Sequence, residues 1–133
     1  MINQINVGVI GTGWCGGIRA NACADNPLVD KLYIAEKNKK RLQELENSLD
    51  LENATDNWNE LIDNKNIDTI IISATPETTH FPMALAALKA RKNVFLEKPI
   101  ATSLKEAEEL IEVSIKNNVK FTIGYSQRFN SKY

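Results

Sequence analysis

The chain has 133 residues, one domain's length, and its 43% hydrophobic and 25% charged content is ordinary for a globular protein. Its 16 basic and 17 acidic residues leave a formal net charge of -1, which gives no basis for a nucleic-acid or anionic-membrane partner. No apolar stretch is long enough to span a bilayer, and the start "MINQINVGVIG" has no basic segment or long apolar run of a signal peptide; the expected location is cytoplasmic.

Strands and helices alternate along the chain. "INVGVIG" reads as an apolar strand over Ile5 to Ile10, and "GTGWCGGIRANACAD" turns into a helix that stops before Pro27. "KLYIAE", Lys31 to Glu36, reads as the second strand. In "NKKRLQELENSL", Leu42, Leu45 and Leu49 recur at spacings of three and four, the stripe of an amphipathic helix. A brief strand at Ala54 and Thr55 precedes a helix starting near Asp56 or Asn57. "IDTIIISAT" is a β-branched run that suits a strand buried on both faces. "THFPMALAALKA" reads as a helix with Pro82 in its first turn, and "NVFLE" as the fifth strand. "SLKEAEELIEVSIKNN" opens with Ser103 and Glu106 at capping-box spacing, and "KFTIGY" supplies the sixth strand. The alternation predicts an α/β fold: a doubly wound, mainly parallel six-stranded sheet with helices on both faces.

Cys15 and Cys23 lie eight residues apart. On one helix their Cα atoms would stand about 12 Å apart, beyond disulfide reach. His80 is the one histidine, and no Cys/His cluster has metal-ligand spacing, so no metal site is expected.

Gly11, Gly13 and Gly16 form G-x-G-x-x-G in "GTGWCG". The motif follows a strand, opens a helix, and is succeeded by an acid at the end of the next strand, the context of a dinucleotide-binding loop. Gly11 permits the tight turn, Gly13 admits a pyrophosphate to the backbone, and Gly16 lets helix and strand approach. The N–H groups of Trp14 and Cys15 would face the phosphates, and Thr12 belongs to the same loop. Cys15 itself reads as a small packing residue. Glu36 can accept hydrogen bonds from both adenosine ribose hydroxyls and would repel a 2′-phosphate, which favours NAD over NADP. It can equally be a solvated strand-end charge. Lys37 beside it could attract a 2′-phosphate, whereas Lys39, Lys40 and Arg41 read as an exposed helix face.

In "FLEKPIA", Glu97 and Lys98 end the fifth strand and are followed by a proline. Ligands of such sheets sit at the carboxyl ends of the strands, so the pair is expected to point into the cofactor crevice. A purely structural Glu–Lys pair is the competing reading. The Lys98–Pro99 bond is expected to be cis.

"GVIGTGWCG", "IDTIIISATPETTH", "ALKARKNVFLEKPIA" and "IGYSQRF" together resemble the Gfo/Idh/MocA oxidoreductases over almost the whole chain. The resemblance implies that Glu97 hydrogen-bonds the nicotinamide ribose. It implies that Lys98 binds that ribose or the substrate hydroxyl and helps move its proton. Ala74, Thr75 and Pro76 would pass under the cofactor with His80 nearby, and Arg128 would stand at the nicotinamide end. Arg91 departs from the glycine usual in the family. The family's second domain supplies the substrate pocket and a catalytic histidine. Residues 1–126 therefore read as the dinucleotide-binding domain, and 127–133 as the start of a connection to a substrate domain outside this sequence. The implied activity is hydride transfer between a nicotinamide cofactor and a hydroxyl carbon of a sugar or cyclitol. The 133 residues alone would bind without turnover. A stand-alone NAD-binding regulatory or sensory module is the alternative, and a reductase of the biliverdin or dihydrodipicolinate type a weaker third. The expected partners are a nicotinamide dinucleotide and, in the full-length parent, a polyol, with a homo-oligomer possible.

Overall fold

The computed structural model describes residues 3–133. Its framework is a six-stranded sheet in the order β3-β2-β1-β4-β5-β6, with all neighbouring strands parallel. The strands are β1 (Ile5–Ile10), β2 (Val29–Ala35), β3 (Asn53–Thr55), β4 (Thr69–Ile72), β5 (Asn93–Glu97) and β6 (Phe121–Gly124). The helices are α1 (Trp14–Ala24), α2 (Lys39–Ser48), α3 (Trp58–Asp63), α4 (His80–Lys89) and α5 (Leu104–Lys116). The fold class, the six strands and the five helices agree with the reading of the sequence, with element ends moved by up to three residues, most at the end of β4.

Period-two alternation divides the core between the two faces of the sheet. Val7, Val9, Leu32 and Ile34 pack with Ala20 of α1 and Leu45 of α2. Their strand neighbours Ile10, Tyr33, Ala35, Ile70, Ile72 and Leu96 pack with α3, α4 and α5 through residues such as Leu61, Leu88 and Leu110. Each strand of the centre is thus buried on both faces, as its unbroken apolar run requires.

Local chemistry sets the helix starts. Asn38 Oδ1 accepts from the Arg41 amide at 3.1 Å, and Asn57 Oδ1 accepts from the Asn59 amide at 3.1 Å. At α5, Ser103 Oγ accepts from the Glu106 amide at 3.3 Å. The return bond of Glu106 differs from a standard capping box: its Oε2 accepts from the amide and hydroxyl of Thr102, at 3.2 and 3.1 Å, one residue earlier than the pattern places it.

Two features lie away from the strand ends that carry function. Lys92 is 5% exposed, and its Nζ donates to the carbonyls of Asn64 and Ile67 at 2.7 and 2.8 Å. Burial pushes its pKa below the ordinary lysine value, against the pull of Asp68 and Asp63. The lysine ties the α3–β4 connection to the start of β5. Arg91 sits at φ +59°, in the left-handed region, where its amide closes the end of α4 by donating to Leu88 O at 3.0 Å. An L-residue with a Cβ pays about 1–2 kcal/mol there. Arg91→Gly should therefore raise stability by about 0.5–1 kcal/mol, read as a higher urea midpoint at unchanged slope; a lower midpoint would show that the arginine side chain contributes more than its backbone costs.

Candidate cofactor site

The strand order reverses between β1 and β4, and that is where a doubly wound sheet opens a crevice. Ile10 pairs with Ile72, and Ile72 with Leu96. Gly11, Ser73 and Glu97 therefore leave three adjacent strands at the same level, side by side along the rim.

Gly11 takes φ +80°. A Cβ there would stand 2.6 Å from Ala74 Cα, so both conformation and space demand glycine. A Cβ on Gly16 would collide with the Gly11 carbonyl oxygen, which is the close helix–strand approach expected of the third glycine. Gly13 is different: a Cβ on it would meet nothing within 4 Å. It caps α1 with no side-chain hydrogen bond and no acid in the first turn. The first-turn amides of Trp14 and Cys15 have no intrahelical acceptor. Open space, free amides and the positive end of a helix dipole fit a pyrophosphate.

Glu36, 8% exposed, organises the adenosine side. Its Oε2 accepts from the Thr12 amide at 2.8 Å and the Thr12 hydroxyl at 2.6 Å; its Oε1 accepts from the Asn38 amide at 2.8 Å. Arg41 Nη1 lies 3.5 Å from Oε2. Burial pushes the carboxyl pKa up, but the bonds from Thr12 and Asn38, with Arg41, outweigh it, and the net shift is downward. Glu36 is therefore no solvated strand-end charge. It binds the glycine loop to the start of α2 and keeps unshared acceptor capacity on Oε1.

Gly11, Thr12, Gly13, Glu36, Lys37, Ala74 and Thr75 line one cleft, together with Arg41 and Trp58. Arg41 is exposed on α2, as expected of most of the basic run, and it also lines the cleft. The Asn38 cap starts α2 so that Arg41, three residues on, leans back over Glu36. That cap was the available signal.

Glu97 ends β5 farther along the rim. Its carboxylate forms an ion pair with Arg19 of α1, not with Lys98, so the structural Glu–Lys pair does not form. Lys98 is exposed and makes no ion pair with the described residues. The Lys98–Pro99 bond is cis, as expected, and so is Thr75–Pro76. His80, expected beside the cofactor, is instead enclosed at 2% exposure. Its Nδ1 lies 2.7 Å from Pro99 O and its Nε2 3.0 Å from Ala74 O. With both ring nitrogens facing backbone carbonyls, the imidazole joins the two proline loops from beneath and has no nitrogen to offer a ligand. Arg128 lies on an exposed 3₁₀ turn, Ser126–Phe129, its guanidinium 6.0 Å from the Tyr125 ring. Cys15 is exposed, which corrects its reading as a packing residue. Burial pushes the thiol pKa of Cys23 up, and the two cysteines are free. Among the described residues, no three His, Cys, Asp or Glu side chains gather as a metal site, and no helix is long and apolar enough to cross a membrane.

Residues 5–125 match the family model described as "Oxidoreductase family, NAD-binding Rossmann fold", GFO_IDH_MocA. The chain is 32% identical to a myo-inositol 2-dehydrogenase of Thermotoga maritima over 132 residues, covering 97% of this chain and 38% of that protein. It is 28% identical to a scyllo-inositol 2-dehydrogenase (NAD(+)) of Bacillus subtilis, covering 100% of this chain and 39% of that one. A crystal structure of scyllo-inositol dehydrogenase from Lactobacillus casei, with bound NAD(H) and scyllo-inositol, superposes with TM-score 0.90 at 26% identity, over 98% of this chain and 39% of that chain. A biliverdin reductase from Synechocystis at 22% identity and TM-score 0.88 shares the fold. The chain thus spans less than half the length of the relatives it matches.

The hydrogen bonds to Glu36 favour its ionised form. Its folded pKa is depressed, so the stability it contributes is present above the unfolded value of about 4.3 and is lost as pH falls through the folded one. Glu36→Gln should lower the melting temperature at pH 7 and flatten the acid limb of the stability profile. An unaltered acid limb would show that the Thr12 and Asn38 bonds do not hold the loop.

Proposed function

Since the chain belongs to the GFO_IDH_MocA oxidoreductases with their NAD-binding Rossmann fold, we propose that it is the cofactor half of a cyclitol or sugar dehydrogenase that uses NAD. The observation that carries the reading is the row of strand ends: the open backbone at Gly13 and the fixed carboxylate of Glu36 on one side of the crevice, and Glu97 with Lys98 on the other.

The nicotinamide ring supplies the hydride acceptor or donor when bound. The chain's own residues orient it. The Trp14 and Cys15 amides bind pyrophosphate, Glu36 accepts from the adenosine ribose hydroxyls, and Ala74, Thr75 and Pro76 form the floor. Glu97 accepts from the nicotinamide ribose. Lys98, free of other partners among the described residues, meets the substrate hydroxyl and takes or returns its proton as the carbinol carbon loses or gains hydride. The ionised Glu36 opposes a 2′-phosphate, which favours NAD; Lys37 and Arg41 soften that preference without removing the carboxylate. A cytoplasmic location belongs to the same reading and accords with two free thiols. A polyol is the proposed partner, by analogy with the inositol dehydrogenases.

In this reading the described residues hold the cofactor half of the arrangement and, among them, no second wall against which a polyol could be positioned, a contribution worth about 7–11 kcal/mol of a barrier. Calorimetric titration should give tighter binding for NAD than for NADP, and NAD should raise the melting temperature by mass action. Mixed with NAD and myo- or scyllo-inositol, these residues should form no NADH. Equal or tighter NADP binding would transfer the specificity role to Lys37 and Arg41. Steady NADH formation lost in Lys98→Ala would show that the chain carries a complete active site.

A further inference from the structure

Arg19 is held on the rim by an ion pair, a hydrogen bond and an aromatic ring. It extends from α1 along the ends of β4, β5 and β6. Its guanidinium forms the ion pair with Glu97, the two side chains being 18% and 15% exposed. Its Nη1 donates to Ser73 Oγ at 2.9 Å. Its Cζ lies 4.9 Å from the centre of the Phe95 ring, a cation–π distance. On β6, a Cβ at Gly124 would stand 2.9 Å from Arg19 Nη2 and 3.0 Å from the Phe95 ring, so glycine there keeps the space the guanidinium occupies.

The planar fork of an arginine suits this use: one arm takes a carboxylate, the other a hydroxyl, and the flat face rests on an aromatic ring. Arg19 holds the buried Oε2 of Glu97. The charge is thereby balanced, and Oε1 keeps its acceptor capacity for a ligand. Without Arg19, Glu97 would be a poorly solvated anion free to turn.

We propose that Arg19 is the positioning residue of the nicotinamide half, holding the Glu97 carboxylate in place to accept the nicotinamide ribose hydroxyls. The proposal rests on the reading of the crevice as an NAD site. Arg19 is not among the residues lining the adenosine cleft, and this separates its effect by ligand: it should act on NAD and not on ADP, which lacks the second ribose and the nicotinamide.

The test is calorimetric titration of the 133-residue chain and of Arg19→Met with NAD and with ADP. The variant should lose about tenfold or more in NAD affinity, the loss of a hydrogen bond to a charged group, with ADP affinity unchanged. Unchanged or tighter NAD binding overturns the proposal, as does an equal loss for both ligands, which would mean a general effect on the fold. Arg19→Lys keeps the charge but cannot reach Glu97 and Ser73 together, so it should show a smaller loss with the same bias toward NAD. It decides the matter if Arg19→Met does not fold, and an unbiased result in it overturns the proposal as well. A wild-type chain that binds ADP without binding NAD more tightly overturns the cofactor reading first, and this proposal with it; the wild-type titrations report the one, and the ratios between variants the other.

Discussion

Everything at the crevice depends on one buried carboxylate. Contact with Ala74 and with its own turn forces glycine at Gly11 and Gly16, which leaves Thr12 as the side chain by which the turn is held. Glu36 supplies the missing restraint from the neighbouring strand, taking both hydrogen-bond donors of Thr12 and the Asn38 amide. A charged acceptor makes those bonds stronger than neutral ones would be. Loop, second strand and α2 are thereby set relative to one another before any ligand arrives.

The sheet supplies the second constraint. Its two separate cores, α1 with α2 on one face and α3, α4 and α5 on the other, hold the strand ends at a common level. Two cross-ties then join neighbouring ends along the rim. Arg19 joins the end of β4 to β5 on one side of the sheet, and His80 joins the loops after β4 and β5 on the other. The rim is thus secured from both faces, and the groups proposed to meet a ligand include the α1 amides, one oxygen of Glu36, one oxygen of Glu97 and Lys98.

Legibility in the sequence followed range. The strands, the helices and the G-x-G-x-x-G loop were readable because each is a local pattern, fixed by periodicity or by the sterics of a few consecutive residues. Glu36 was readable from its place at a strand end. What escaped was set by pairing across the sheet. Nothing near Arg19 in the chain announces that it reaches Glu97, 78 positions later. His80 sits in a plausible place for cofactor contact, and only the three-dimensional path of the two proline loops shows both its nitrogens taken. Arg41 is exposed as its basic run suggests, but its approach to Glu36 was not readable, because such a run looks uniform in one dimension and the cap at Asn38 sets which member leans over the carboxylate. Lys92 drew no reading from the sequence, because the carbonyls of Asn64 and Ile67 that close on it come from far back in the chain.

The path of α1 has a consequence for how this region can vary in length. Its first turn presents amides to one part of the crevice, and Arg19, three residues beyond Gly16, reaches the other. A single residue inserted between them would turn Arg19 by about 100° around the helix axis and advance it by about 1.5 Å, carrying the guanidinium off the Phe95 ring and away from Glu97. A deletion would do the same in the opposite sense. The stretch from Gly11 to Arg19 therefore behaves as a ruler of fixed length. Length changes can be absorbed in surface connections such as the one around Pro27, but along the ruler variation must come as one side chain exchanged for another.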